Sequence, residues 1–247
     1  MTALLASIAT RREIAAAVSG GADIVDLKNP GQGALGAWEL PAIAEAVALL
    51  RGVRPVSATV GDLPMDPARL VAAVESVSGA GVDIVKIGLF EGECADCIAA
   101  LEPVAKHVRV VAVFFADRDP DFSLLPLLAR SGFYGAMLDT ADKRAGSLRN
   151  RMNAETVAGF VSAARALGLC VGLAGSLRLD DVAPLLAAGP DFLGFRRALC
   201  AGENRVGEID AGAVTRVRAA LDAGRGRAQI PKARRATATA GAQTPAE

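Results

Sequence analysis

Eight short apolar runs, each followed by a helical stretch, constrain this chain more than any other feature. The runs cover residues 3–8, 23–28, 55–60, 83–89, 108–115, 134–138, 169–174 and 191–195. They are rich in Val, Ile, Leu and Phe, as strands buried on both faces of a parallel sheet must be. Amphipathic or alanine-rich stretches follow at about 11–19, 41–50, 67–78, 93–106, 122–131, 154–167, 179–188 and 210–223. Thr10 is placed to cap the first of these helices, and Pro67 suits the first turn of the third. Eight strand–helix units with no element left over close into a (β/α)8 TIM barrel; an open doubly wound sheet is the runner-up. One αβ junction recurs as Gly20-Gly21-Ala22-Asp23, Ala80-Gly81-Val82-Asp83 and Ala188-Gly189-Pro190-Asp191. Each glycine ends a helix just before the chain enters a strand, which supports the barrel.

A chain of 247 residues suits one such domain, expected over residues 1–224. After Gly224 the composition turns to Arg, Ala, Thr, Gly and Pro, so 225–247 reads as a disordered tail. A formal net charge of zero argues against nucleic acid or an anionic membrane as partner. No apolar run reaches the roughly 18 residues of a membrane span, and the N-terminus lacks the basic segment of a signal peptide. A cytoplasmic protein is expected. The Cys94-Ala95-Asp96-Cys97 pair lacks the further ligands of a zinc site, and His107 is the only histidine. Lysine and aspartate would therefore have to move protons.

In this fold the site lies at the C-terminal ends of the strands. Strand two ends in Asp26 and Lys28, which share one strand face with Ile24. Strand four carries Lys86 in an otherwise apolar run, strand six ends in Asp139, and Lys143 follows in the next loop. Three lysines and two aspartates on one rim are hard to explain as structure, because unpaired buried charges are costly. Neighbouring amines lower each other's pKa and can leave one neutral and nucleophilic. Gly175 and Ser176, read as the opening of helix seven, and Arg196 after strand eight mark an expected phosphate site. No GxGxxG or Walker sequence points to a nucleotide.

The segments GGADIVDLKNPGQGALGA, VSATVGDLP, VDIVKIGL, AMLDTADK, GLAGS and GFRRALC with NRVGEID together resemble one family. It is (5-formylfuran-3-yl)methyl phosphate synthase, also called 4-(hydroxymethyl)-2-furancarboxaldehyde-phosphate synthase. The likeness runs from about Leu4 to Leu221. Where the family usually carries a charged pair after the strand-two lysine, this chain has Gly31-Gln32.

The resemblance implies a TIM-barrel lyase of methanofuran biosynthesis. It would condense two molecules of glyceraldehyde 3-phosphate, releasing one phosphate and two waters. Its functional positions fall on Asp26, Lys28, Lys86, Asp139 and Lys143. Lys28 would form a Schiff base, Asp26 would orient it or carry protons, and Lys86 would depress its pKa or neutralise a developing alkoxide. Asp139 and Lys143 would serve as acid–base groups, with Gly175, Ser176 and Arg196 on the phosphate. No metal or organic cofactor is implied, and a homo-oligomer is expected. Another Schiff-base aldolase of phosphorylated sugars, or a phosphometabolite-binding barrel without chemistry, are the competing readings.

Overall fold

The apolar runs become strands β1 (Ala3–Ile8), β2 (Ile24–Leu27), β3 (Val56–Thr59), β4 (Ile84–Gly88), β5 (Val110–Phe115), β6 (Gly135–Asp139), β7 (Cys170–Leu173) and β8 (Phe192–Phe195). The structure is a computed structural model and describes residues 1–142 and 146–224. Lys143 and the segment read as a tail lie outside the described residues. Every neighbouring pair of strands is parallel, and β1 bonds both β2 and β8, so the sheet closes. Helices follow the strands around the outside. No helix among the described residues is long and apolar enough to cross a membrane.

Because successive strand residues face opposite sides, the barrel has two cores. Leu4, Ala6, Ile8, Val25 and Leu27 face outward and pack under the helices. Leu5, Ile84, Val111, Val113, Met137 and Phe192 fill the interior. The interior floor depends on Gly172, where an added Cβ would fall 2.2 Å from the Phe192 ring. Above this floor the inward positions turn polar: Ser7, Asp26, Ser57, Thr59, Lys86 and Asp139 are all buried. Ser7 pairs in register with Asp26, Asp26 with Ser57, and Thr59 with Lys86. The barrel thus goes from apolar to ionic along its axis, toward the C-terminal strand ends.

Several helices differ from the sequence expectation. The stretch at 93–106 forms two helices, Cys94–Ala100 and Glu102–Ala105. Pro103 sits in the first turn of the second, where its missing N–H is harmless but its ring stops the first helix from continuing. The stretch at 179–188 is a 3-10 turn, Leu179–Asp181, followed by a short helix, Val182–Leu186. Gly175 and Ser176 therefore form a bend ahead of the 3-10 turn, not the opening of a helix. Thr10 makes no side-chain cap; the nearby Ala9 N–H is met instead by the Glu13 carboxylate at 2.6 Å.

The glycine-rich loop after β2 folds back over the barrel mouth. The Asp62 carboxylate accepts from the backbone N–H groups of Ala34 and Leu35, each at 2.7 Å, and Thr59 donates to the Gly36 carbonyl at 3.1 Å. Leu35 joins the interior core as a result. The loop needs glycine at Gly33, which has φ +87° and would place a Cβ 2.1 Å from an Asp62 oxygen.

Candidate active site

The polar layer opens into a small cavity at the C-terminal end of the barrel. Asp26, Lys28, Lys86, Asp139, Gly175, Ser176 and Arg196 all line it. The strand periodicity explains the convergence: Asp26, Lys86 and Asp139 lie at inward positions of β2, β4 and β6, and Lys28 continues the β2 alternation one residue past its end. Lys143 is outside the described residues, so its place here is not specified.

Two amine–carboxylate pairs occupy the cavity. Lys86 Nζ lies 2.6 Å from Asp26 Oδ1, with both side chains almost fully buried. Ser57 also donates to Asp26 Oδ1, at 2.7 Å, while Asp26 Oδ2 is buried without a hydrogen bond among the described residues. The second pair is looser: Lys28 Nζ is 3.4 Å from Asp139 Oδ2. Asp139 Oδ1 accepts from the Thr140 N–H at 2.7 Å. Lys86 is 2% exposed and Lys28 9%, so Lys28 is the more accessible amine. Burial pushes the Lys86 amine below the ordinary lysine value; Asp26 pulls it back up and Lys28 pushes it down again. Chemically this is a place where a proton can be moved between amine and carboxylate.

Gly175 and Ser176 both adopt positive φ, +106° and +47°. The Gly175 carbonyl accepts from the Leu148 N–H at 2.9 Å, which ties the turn to the helix Leu148–Arg151. A non-glycine residue such as Ser176 in the left-handed region is uncommon and tends to be found where backbone shape serves a ligand.

Arg196 reaches the cavity wall but has a different task from the one expected of it. It forms a two-pronged pair with the buried carboxylate of Glu13, at 2.6 and 3.0 Å. Its remaining N–H groups donate to the carbonyls of Ser7, Arg205 and Gly207. Arginine has five N–H donors and all five are engaged. No donor is left for a phosphate, so the expectation placed on Arg196 is corrected by its own hydrogen bonds.

Sequence reasoning missed four participants: Ser7, Ser57's bond to Asp26, Glu13 and Arg205. Ser7 and Arg205 both line the cavity. Ser7 is hidden in an ordinary apolar strand. Glu13 left a faint trace, as one acid in the first turn of a helix whose other early residues are two arginines. Arg205 was visible as the third arginine after β8. Among the described residues, no three His, Cys, Asp or Glu side chains converge to hold a metal.

Comparison with known proteins places this sequence in one family. The family model described as 4-HFC-P synthase matches residues 4–218. The (5-formylfuran-3-yl)methyl phosphate synthase of Methanopyrus kandleri is 38% identical over 232 residues, covering 88% of this chain and 98% of the relative. The protein of the same name from Methanothermobacter thermautotrophicus is 37% identical over 236 residues, covering 89% and 98%. Among solved structures, a 3-hexulose-6-phosphate synthase superposes with a TM-score of 0.65 at 16% identity, covering 89% of this chain and 100% of that one. A phosphoribosyl anthranilate isomerase from Thermus thermophilus gives 0.62 at 16% identity, covering 90% and 99%. At that identity the structures share the fold, and the barrel architecture agrees with them. The family model and the relatives go further: this chain is an enzyme of the 4-HFC-P synthase family.

Proposed function

We propose that the enzyme is a carbon–oxygen lyase acting on phosphates, condensing two molecules of glyceraldehyde 3-phosphate into (5-formylfuran-3-yl)methyl phosphate. One observation carries this reading: two lysines and two aspartates, paired at 2.6 and 3.4 Å, face one cavity at the barrel mouth. The relatives' shared name supplies the product.

In this reading Lys28, the more accessible amine, attacks the carbonyl carbon of one triose phosphate. Water leaves and an iminium forms. The iminium withdraws electrons, so the neighbouring carbon can lose a proton and an enamine results. Its electrons expel phosphate from the next carbon or add to the carbonyl of the second molecule. The whole sequence joins two three-carbon units and releases one inorganic phosphate and two waters. Hydrolysis of the imine returns Lys28. The furan keeps the second phosphate.

Asp139, beside Lys28, carries protons to and from the reacting carbons, with Lys143 added by the family pattern. The Asp26–Lys86 pair supplies or withdraws a proton deeper in the barrel and stabilises a developing alkoxide. The turn at Gly175 and Ser176 offers backbone N–H groups to a substrate phosphate. The site belongs, in this reading, to methanofuran biosynthesis.

The test is direct. Purified enzyme with glyceraldehyde 3-phosphate alone should generate near-ultraviolet furan absorbance, with one free phosphate per furan. A simple aldol product without phosphate release would instead make it a Schiff-base aldolase of phosphorylated sugars. Binding with no turnover would make it a phosphometabolite-binding barrel.

A further inference from the structure

We propose that Arg205 is a phosphate-binding residue of this cavity, and that the buried Glu13–Arg196 pair is the device that positions it. The proposal rests on the reading above only in supposing a phosphorylated substrate.

The loop after β8 exposes Ala201, Gly202, Glu203, Asn204, Val206 and Glu208 to solvent, but Arg205 is half-buried. It lines the same cavity as Lys28, Asp139, Gly175 and Ser176. No hydrogen bond or ion pair holds its guanidinium among the described residues. Burial lowers its pKa, and the Asp139 carboxylate opposes that fall, so the cation lies within the field of the catalytic acid. A half-buried cation without a partner is unfavourable until an anion arrives. A guanidinium offers a planar fork that matches two phosphate oxygens and stays charged at any working pH.

The loop is clamped on both sides of this residue. Arg196 donates to the Arg205 carbonyl at 2.9 Å and to the Gly207 carbonyl two residues on. Glu13 in turn accepts from the Ile209 N–H at 3.2 Å, and Cys200 and Ile209 form an antiparallel bridge that closes the loop's base. One buried ion pair between the start of the first helix and the end of β8 thus fixes the backbone from which Arg205 projects. It explains why Arg196 uses every donor without offering one to the cavity.

The experiment is titration of inorganic phosphate into the purified full-length chain by calorimetry, alongside steady-state kinetics with glyceraldehyde 3-phosphate. Arg205→Ala should weaken phosphate binding about 10- to 100-fold, as loss of a charged hydrogen bond does. It should raise KM more than it lowers kcat, and Arg205→Lys should recover part of the affinity. Glu13→Gln should weaken phosphate binding in the parent protein yet add nothing in the Arg205→Ala background. Unchanged phosphate affinity in Arg205→Ala, or no phosphate binding by the parent at millimolar concentration, overturns the site. Additive effects of Glu13→Gln and Arg205→Ala overturn the positioning role, and Arg196→Lys repeats that cycle should Glu13→Gln fail to fold. Phosphate binding needs no turnover. Arg205-dependent binding without furan formation would therefore sink the reaction and leave the phosphate site standing.

Discussion

Two buried ion pairs each bring a member to the cavity at the barrel mouth, and they are built on opposite principles. In Glu13–Arg196 every donor is used: five arginine N–H groups meet a carboxylate and three carbonyls, and the carboxylate also takes the N–H groups of Ala9 and Ile209. In Asp26–Lys86 one oxygen holds both Lys86 and Ser57, and the other is buried with no hydrogen bond among the described residues. The first pair is a closed knot of polar groups whose removal would orphan backbone atoms. The second is an incomplete network in a cavity, where an empty acceptor is free to take a proton or a substrate hydroxyl. A buried pair by itself is weak evidence for either stability or function. Whether its members are fully satisfied tells the two apart.

The largest effect should come from breaking the reactive side at Lys28. Borohydride added with glyceraldehyde 3-phosphate should trap a covalent adduct on Lys28, located by peptide mass spectrometry. Lys28→Arg preserves the charge but should abolish both adduct and furan, because a guanidinium stays protonated and forms no imine. An adduct on Lys86 would move the nucleophile one pair deeper. Furan formed with no adduct on any lysine would remove the Schiff base from the mechanism.

Next in size is a contrast of stability. Glu13→Gln combined with Arg196→Met strands the carbonyls of Ser7 and Arg205, at about 1–3 kcal/mol for each unsatisfied group, while Gly207 keeps a weak bond from the Cys200 thiol. Urea unfolding should show a loss of at least about 3 kcal/mol, in line with broken buried pairs generally. Asp26→Asn combined with Lys86→Met removes two desolvated charges and leaves little unmet. That variant should be as stable as the parent or more so, by up to about 4 kcal/mol, and inactive. Equal destabilisation by both double variants would erase the distinction.

A smaller effect is expected at Ser57. Its hydroxyl donates to the oxygen of Asp26 that also binds Lys86. Ser57→Ala should cost about 1.5–3 kcal/mol, the range for a hydrogen bond to a charged group. Turnover should fall but persist, since the Lys86–Asp26 contact remains. Complete loss of furan formation would make Ser57 a participant in the reaction itself.

The barrel was legible because strand order follows from eight short apolar runs, and inward positions follow from a period of two. The same period placed Asp26, Lys28, Lys86 and Asp139 on one rim before any coordinates. What stayed hidden depends on three-dimensional bonding with no local signature. Nothing near Arg196 in the chain announces that Glu13, 183 positions away, will take its guanidinium. The helix at 93–106 looked continuous because its alanines outweigh one proline in propensity, though a proline inside a helix blocks the preceding turn. The loop after β2 read as functional from its length and glycines; that Asp62 would pull Ala34 and Leu35 into the mouth was legible only once β3 and the loop stood side by side.

The last and smallest effect is a slope. Burial holds the folded Lys86 amine below the ordinary lysine value of 10.5. Between the folded and unfolded pKa values the unfolded chain binds more protons than the folded one, so stability rises with pH across that window. Lys86 penalises folding below its folded pKa, and the penalty is relieved as pH climbs toward 10.5. One group changes stability by at most about 1.4 kcal/mol per pH unit. Urea midpoints of the parent protein, measured from pH 7 upward, should therefore carry a positive contribution that Lys86→Met lacks. Glu13→Gln, a change in the other pair, should leave that contribution in place. A parent and a Lys86→Met variant with parallel pH profiles would mean that Asp26 holds Lys86 as an ordinary ammonium. The second pair would then be as closed as the first.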